Sequence, residues 1–274
     1  MATSDYEGKK FINDDATKTV DSLTVEEALQ ININNEPFMV TMRTPGDDIQ
    51  LVRGLLHSEG IIKDSSFIPD VILRKENDNG VVTMVDLTIP EEKIGEAYSN
   101  SRSLLSVSSC GICGRKELGE LSFMGKVIDE KKTISINTVQ EMFEKMSQKQ
   151  SAFKQSGGSH AAAAFTLDGE LLASREDIGR HNAVDKVIGE LILNENLKEA
   201  GAITVSGRIS YEIIVKAFKA KIPILCAVSA PSTLAVDYAK ELGITLMAFC
   251  RDNRATCYSN PQRIYNTKQI NKVG

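Results

Sequence analysis

Residues 202–249 read AITVSGRISYEIIVKAFKAKIPILCAVSAPSTLAVDYAKELGITLMAF, and this stretch decides the fold. Runs 202–205, 224–228 and 244–249 are short, apolar and rich in β-branched side chains, as buried strands are. Between them, 211–219 sets Ile214, Val215 and Phe218 on one helical face, and 233–242 carries a second helical pattern. Strict alternation of strand and helix implies parallel strands joined by right-handed crossovers, with ligands bound outside the carboxyl ends of those strands. The expectation is an α/β C-terminal domain with a largely parallel sheet.

Upstream of that stretch, 161–167 and 171–174 flank Asp168-Gly169 and predict a hairpin. A helix bearing Val184, Val187, Ile188 and Leu191 follows. A helix is also predicted from Thr138, with Glu141 completing a capping box and Val139, Met142, Phe143 and Met146 as its buried stripe. Nearer the start, 28–33 and 38–42 turn at Asn34-Asn35, a helix capped by Asp47 or Asp48 runs to Gly60, and 71–73 and 81–87 form a second hairpin through Asn77-Asp78-Asn79-Gly80. These elements predict an α+β N-terminal domain over 21–100 behind a flexible polar tail over 1–20. A serine-rich connecting segment over 101–135, the α/β domain over 136–266 and a short tail over 267–274 complete the layout.

Composition bounds the function. The chain has 274 residues, enough for about two domains, and its 42% hydrophobic and 25% charged residues are ordinary for a globular protein. A net charge of −5 opposes general nucleic-acid binding, which needs a basic face. No apolar run is long enough to cross a bilayer, and the first residues lack the basic and apolar parts of a secretion signal, so a cytoplasmic location is expected. Five cysteines in a chain of this size predict free thiols.

Two thiols stand out. In Ser108-Ser109-Cys110-Gly111-Ile112-Cys113-Gly114-Arg115-Lys116 they share a glycine-flanked segment ahead of two cations, which favour the reactive thiolate. Such a pair can be a dithiol redox centre, half a zinc site or a persulfide carrier. Zinc would need a second ligand pair, and Cys226, Cys250 and Cys257 supply no second C-x-x-C, so no metal site is predicted. A second group lies where three predicted strands end, at Ser206-Gly207-Arg208, Ser229-Ala230-Pro231-Ser232 and Cys250-Arg251-Asp252-Asn253-Arg254. Helix N-termini, small residues and guanidinium forks at one edge suit a phosphorylated ligand. Gly157-Gly158-Ser159-His160 and Arg175-Glu176-Asp177-Ile178-Gly179-Arg180-His181-Asn182 add His160, Arg180 and His181. Walker and dinucleotide-binding glycine motifs are absent.

Cys110-Gly111-Ile112-Cys113-Gly114, Gly157-Gly158-Ser159-His160-Ala161-Ala162, the run from Arg175 to Lys186, Ser206-Gly207-Arg208-Ile209-Ser210-Tyr211-Glu212 and Ser229-Ala230-Pro231 resemble, in order, the formate dehydrogenase accessory sulfurtransferases, the FdhD family. Thr44-Pro45-Gly46-Asp47 and 57–62 resemble its first domain. The resemblance implies a sulfur carrier that accepts sulfur as a cysteine persulfide from a cysteine desulfurase. It would pass that sulfur to the molybdenum bis(molybdopterin guanine dinucleotide) cofactor, bound as a client rather than held permanently, before insertion into apo-formate dehydrogenase. It further implies Cys110 as the persulfide cysteine and Cys113 as the second thiol. Phe249, Cys250, Arg251, Asp252, Asn253 and Arg254 fall in its cofactor-binding stretch. A homodimer and a three-layer C-terminal fold similar to that of cytidine deaminases are also implied, although the deaminase signature is missing because His160 is followed by Ala161 and Ala162. A cofactor-holding chaperone without sulfur transfer is the alternative.

Overall fold

In the computed structural model the described residues are 2–64, 66–75, 77–101 and 126–266, the side chains of 99–101 excepted. Cys110, Cys113 and most of the expected connecting segment lie outside them. The chain opens with β1 (Thr3–Ile12) and β2 (Asp15–Thr24), paired antiparallel from Thr3↔Thr24 to Ile12↔Asp15. The expected flexible tail is therefore a hairpin. Asn13 at φ 53° turns it, and its root is held where Thr24 Oγ1 meets Ser156 Oγ at 2.6 Å and Thr3 Oγ1 donates to Gln155 Oε1 at 2.7 Å. The sequence hid it because its large apolar residues, Tyr6, Phe11, Ile12 and Val20, are exposed rather than alternating into a core.

Next, β3 (Glu27–Ile33) and β4 (Glu36–Arg43) turn through Asn34 and Asn35, both at positive φ, the conformation a tight two-residue hairpin requires. Helix α1 (Asp48–Glu59), β5 (Asp70–Lys75) and β6 (Val82–Thr88) complete a four-stranded sheet of order β4-β3-β6-β5, in which β3 and β6 are parallel. Leu29, Ile31 and Ile33 alternate inward and pack with Val85 and Leu87 against Leu51, Val52, Leu55 and Leu56 of α1. Asp47 makes no side-chain cap on α1, and Asp48 instead accepts from Arg43 Nε at 2.8 Å. Gly60, at φ 74°, ends the helix. A short α2 (Glu96–Ser101) follows.

The second part contains β7 (Ile134–Ser135), α3 (Ile136–Lys149), α4 (Ser151–Ser156), β8 (His160–Phe165), β9 (Leu171–Asp177) and α5 (Arg180–Leu193). It continues with β10 (Ala202–Val205), α6 (Tyr211–Lys219), β11 (Ile224–Ala227), α7 (Thr233–Glu241), β12 (Thr245–Arg251), β13 (Arg254–Ser259) and β14 (Ile264–Tyr265). The α3 start differs from expectation: Ser135 is the N-cap, its Oγ accepting from Thr138 N at 3.0 Å, so the helix begins earlier than Thr138.

The main sheet has the order β13-β12-β11-β10-β8-β9. Its centre, β10, β11 and β12, is parallel as the alternation predicts, whereas β8, β9 and β13 are antiparallel to their neighbours. The sheet is thus mixed rather than largely parallel. The stretch at 250–254 is the physical reason on one side: Asp252 and Asn253, at φ 53° and 56°, fold β12 back into β13 instead of leaving as a loop. Helices cover both faces. Ile203, Val205, Leu225 and Leu246 pack with Val184, Val187 and Ile188 of α5, while Ala161, Ala163, Phe165, Cys226 and Met247 pack with Val139, Met142 and Met146 of α3.

Glycines weld the two cores. A Cβ on Gly54 of α1 would lie 1.8 Å from Asp185 O of α5, and one on Gly189 of α5 would lie 1.8 Å from Gln50 O of α1. Backbone touches backbone there. Around it, Asp185 accepts from Lys216 Nζ at 2.8 Å and from Ser58 Oγ at 2.8 Å, all buried. Asp177 receives Lys186 Nζ at 2.9 Å and Thr44 N at 3.1 Å, and Asn182 Nδ2 donates to Met42 O at 2.7 Å. Replacing Gly54 by Ala is expected to destabilise the protein by roughly 1–3 kcal/mol or more, since the helices must separate to admit a methyl group. Urea unfolding measures it, and a change under about 0.5 kcal/mol, the level of a neutral surface substitution, would refute the close-contact account.

Candidate functional site at the strand edge

Backbone hydrogen bonds stitch together the loops that leave β10 and β11 and the end of β12. Ser206 N donates to Ala161 O and Ala161 N donates to Ser206 Oγ, both at 2.9 Å, fixing the first loop to β8. Ile209 N donates to Ala230 O at 3.1 Å, Ser232 N to Ile209 O at 2.9 Å, and Phe249 N to Ser229 O at 3.3 Å. Ser206, Gly207, Arg208, Ser229 and Phe249 therefore do share one edge. Each serine here has a backbone reason for its place before it has a ligand.

His160, Arg180 and His181 converge beside the first loop. A Cβ on Gly207 would lie 3.2 Å from His160 Nδ1 and 3.5 Å from Arg180 Cβ, so the position leaves little room for a side chain. His181 Nε2 is 3.0 Å from Ser210 Oγ and 3.8 Å from Glu212 Oε2. Burial, then the Arg180 guanidinium, lowers the His160 pKa, and the same two causes, followed by Lys216, bring His181 down to about 4. Both imidazoles are neutral near pH 7. The Nε of Arg180 is buried without a hydrogen-bond partner among the described residues. Arg208 is exposed.

The remaining expected residues stand apart from this group. Cys250 is buried on the α3 face of the sheet, whereas Arg251, Asp252, Asn253 and Arg254 are exposed at the β12–β13 turn, where Arg254 Nη2 lies 3.6 Å from Asp252 Oδ2. The polar run from Arg175 to Lys186 divides by role. Asp177, Asn182, Asp185 and Lys186 hold the two cores together, Arg175 bonds Glu190 at 2.7 Å, and Glu176 accepts from Ala152 N and Phe153 N at the start of α4. Only Arg180 and His181 of that run turn to the edge. Sequence reasoning missed Ser210 and Glu212 as partners of His181. Ser210 makes no side-chain cap on α6 and serves the imidazole instead.

A mixed α/β sandwich with its polar loops gathered at the carboxyl edge of three parallel strands defines the fold class. The FdhD/NarQ family profile matches residues 24–265. The chain belongs to that family. It is 41% identical over 256 residues to the sulfur carrier protein FdhD of Saccharolobus solfataricus, covering 92% of this chain and 94% of that protein. With the sulfur carrier protein FdhD of Mycobacterium tuberculosis it shares 39% identity over 253 residues, 89% of this chain and 92% of the other. Its fold matches the crystal structure of a candidate formate dehydrogenase accessory protein from Desulfotalea psychrophila, with a TM-score of 0.76 at 21% identity over 97% of this chain and 100% of that one. Among the described residues no helix is long and apolar enough to cross a membrane.

The histidines set a pH dependence. His57, whose Nε2 bonds Lys219 O at 3.2 Å, is also brought down to about 4, first by burial and then by Arg53. A lowered pKa in the folded state means the unfolded chain binds the extra proton first. The stabilisation is therefore full above about pH 6.5 and is lost as pH falls toward 4, at about 1.4 kcal/mol per pH unit for each of His57 and His181. The His181→Gln variant should show a shallower loss between pH 6.5 and 4.5 by one histidine's share in urea titrations. An unchanged slope would mean that His181 titrates normally.

Proposed function

We propose that this protein is a sulfur carrier for formate dehydrogenase maturation. In this reading the Cys110 thiolate attacks the outer sulfur of a desulfurase persulfide. The S–S bond of the donor breaks, the desulfurase thiolate leaves, and Cys110 holds the sulfane sulfur as a persulfide, so no external oxidant or reductant is needed. Cys113 is the second thiol, and Arg115 and Lys116 favour the thiolate form. The recipient is the molybdenum bis(molybdopterin guanine dinucleotide) cofactor, held as cargo at the strand edge and then delivered to apo-formate dehydrogenase. Transfer of this kind makes the protein a sulfurtransferase, acting as a homodimer in the cytoplasm.

Membership of the family, with relatives named as sulfur carriers across nearly the whole chain, carries the reading. The edge supports the cargo assignment. The exposed Arg208 offers donors to pyrophosphate oxygens, and neutral His160 and His181 can hydrogen-bond without adding charge. Arg251 and Arg254 would close over the ligand from the neighbouring hairpin.

Guanosine diphosphate serves as the surrogate in calorimetric titration. Removing one charge-assisted bond costs roughly 1.5–3 kcal/mol, about ten- to a hundredfold in affinity. Arg208→Ala, Arg251→Ala and Arg254→Ala are each expected to weaken binding by that factor, while Cys110→Ala leaves it unchanged. Unaltered affinity in all three arginine variants would place the cargo elsewhere. Loss of affinity in Cys110→Ala would mean that the sulfur site and the cargo site are one.

A further inference from the structure

Apart from Thr24, the hairpin of β1 and β2 lies ahead of the residues matched by the family profile, and no step of sulfur transfer uses it. Its root is held by the bonds of Thr3 to Gln155 and of Thr24 to Ser156. From Ser4 to Ile12 every residue of β1 is exposed, Tyr6, Phe11 and Ile12 among them, and Val20 joins them from β2. A two-stranded hairpin alone is marginally stable in water, and an exposed strand edge carries a row of free backbone donors and acceptors that another strand can take up. The charge pattern of β1 identifies the strand that fits.

When a strand pairs antiparallel with its own copy about a two-fold axis, opposed residues both turn their N–H and C=O groups to the seam. Those groups alternate along a strand, so opposed residues have numbers of the same parity. In β1 an axis at Asp5, Glu7, Lys9 or Lys10 sets that charged residue against itself, and an axis at Tyr6 sets Asp5 against Glu7. Like charges directly opposite one another oppose pairing. An axis at Gly8 avoids every such contact. It sets Glu7 against Lys9 of the second copy and Tyr6 against Lys10, and symmetry makes each contact twice. The edge of β2 has no equivalent: Lys18 is even while Asp15 and Asp21 are odd, so no pairing of β2 with itself brings Lys18 opposite either carboxylate.

We propose that β1 is a self-association edge: two copies of this chain pair antiparallel about Gly8, joining their hairpins into one four-stranded sheet of order β2-β1-β1-β2. The inference rests on the homodimer of the reading above and names its seam. Pairing supplies the further strands that a lone hairpin lacks. Glu7, Lys9 and Phe11 lie on one face of β1, where Lys9 Nζ already stands 5.5 Å from the Phe11 ring centroid, and Tyr6 and Lys10 lie on the other. Each face of the joined sheet thus carries one kind of cross-copy contact, Glu7 with Lys9 on the first and Tyr6 with Lys10 on the second. A seam this short and polar makes a reversible dimer rather than an obligate one.

Sedimentation equilibrium of the full chain tests the charge pairing. Glu7→Lys sets like charges opposite Lys9 twice and is expected to weaken dimerisation roughly tenfold or more, whereas Glu7→Lys combined with Lys9→Glu restores it. Both side chains are exposed, so neither change disturbs a core. Gly8→Cys tests the axis. A Cβ on Gly8 meets only Thr19 Cγ2, at 3.5 Å, and the spacing of directly opposed residues suits a disulfide. After mild oxidation of this variant with diamide and tryptic digestion, mass spectrometry should find peptide 1–9 joined to itself, reversed by dithiothreitol. Asp5→Cys, which faces Phe11 of the second copy rather than itself, should give far less of that product. Equal linkage in the two cysteine variants, or a dimer indifferent to Glu7→Lys, would keep the homodimer and remove this seam. A monomer at every concentration would remove both, and neither result bears on sulfur loading at Cys110.

Discussion

The contact between Gly54 and Gly189 is the constraint on which the rest of the molecule depends. Two helices from different sheets meet with carbonyl oxygens where side chains would stand, and this brings Ser58, Asp185 and Lys216 within hydrogen-bond range in a buried layer. Charged groups are retained in such a layer only when paired, because an uncompensated buried charge costs several kcal/mol. Asp177 makes the same point. Its two oxygens receive Gly179 N, Asn182 Nδ2, Thr44 N and Lys186 Nζ, so one carboxylate fixes the start of α5 and the end of β4 together.

From that fixed start, α5 presents its first residues to the strand edge. Arg180 and His181 follow Gly179 directly, and the bonds of Asp177 to Gly179 and Asn182 hold the turn that aims them. The weld and the candidate site are therefore adjacent parts of one polar run. Most of the run's polarity is spent on cohesion, and only Arg180 and His181 turn to the edge. The edge itself is tied together because each loop lends a backbone group to the next.

Much of the fold was legible because its signals are local. The Asn34-Asn35 and Asp168-Gly169 turns, the helical stripe of α5 and the alternation after residue 202 each lie within a short window. What stayed hidden depends on distant partners. The hairpin of β1 and β2 has no buried stripe to betray it, and β13 is invisible until Asp252 and Asn253 are known to adopt positive φ. The glycines at 54 and 189 read as ordinary helix residues until the two helices are set against one another. The same holds at the site. His160 and His181 attract notice as histidines beside glycines, but the Ser210 and Glu212 contacts and the partnerless Arg180 Nε need the fold. Cys226 and Cys250 read as core residues in apolar strands, and core they are. That Cys250 shares the α3 face with Met247 is a consequence of the Phe249 bulge, which no periodicity announces.

The central claim is that sulfur rides on the thiol pair that precedes Arg115 and Lys116. Intact-protein and peptide mass spectrometry after incubation with a cysteine desulfurase and cysteine tests it most directly. The account predicts one added, reductant-labile sulfur on the peptide containing Cys110 and none on a protein lacking Cys110 and Cys113. Undiminished loading of that double variant by the desulfurase would contradict it.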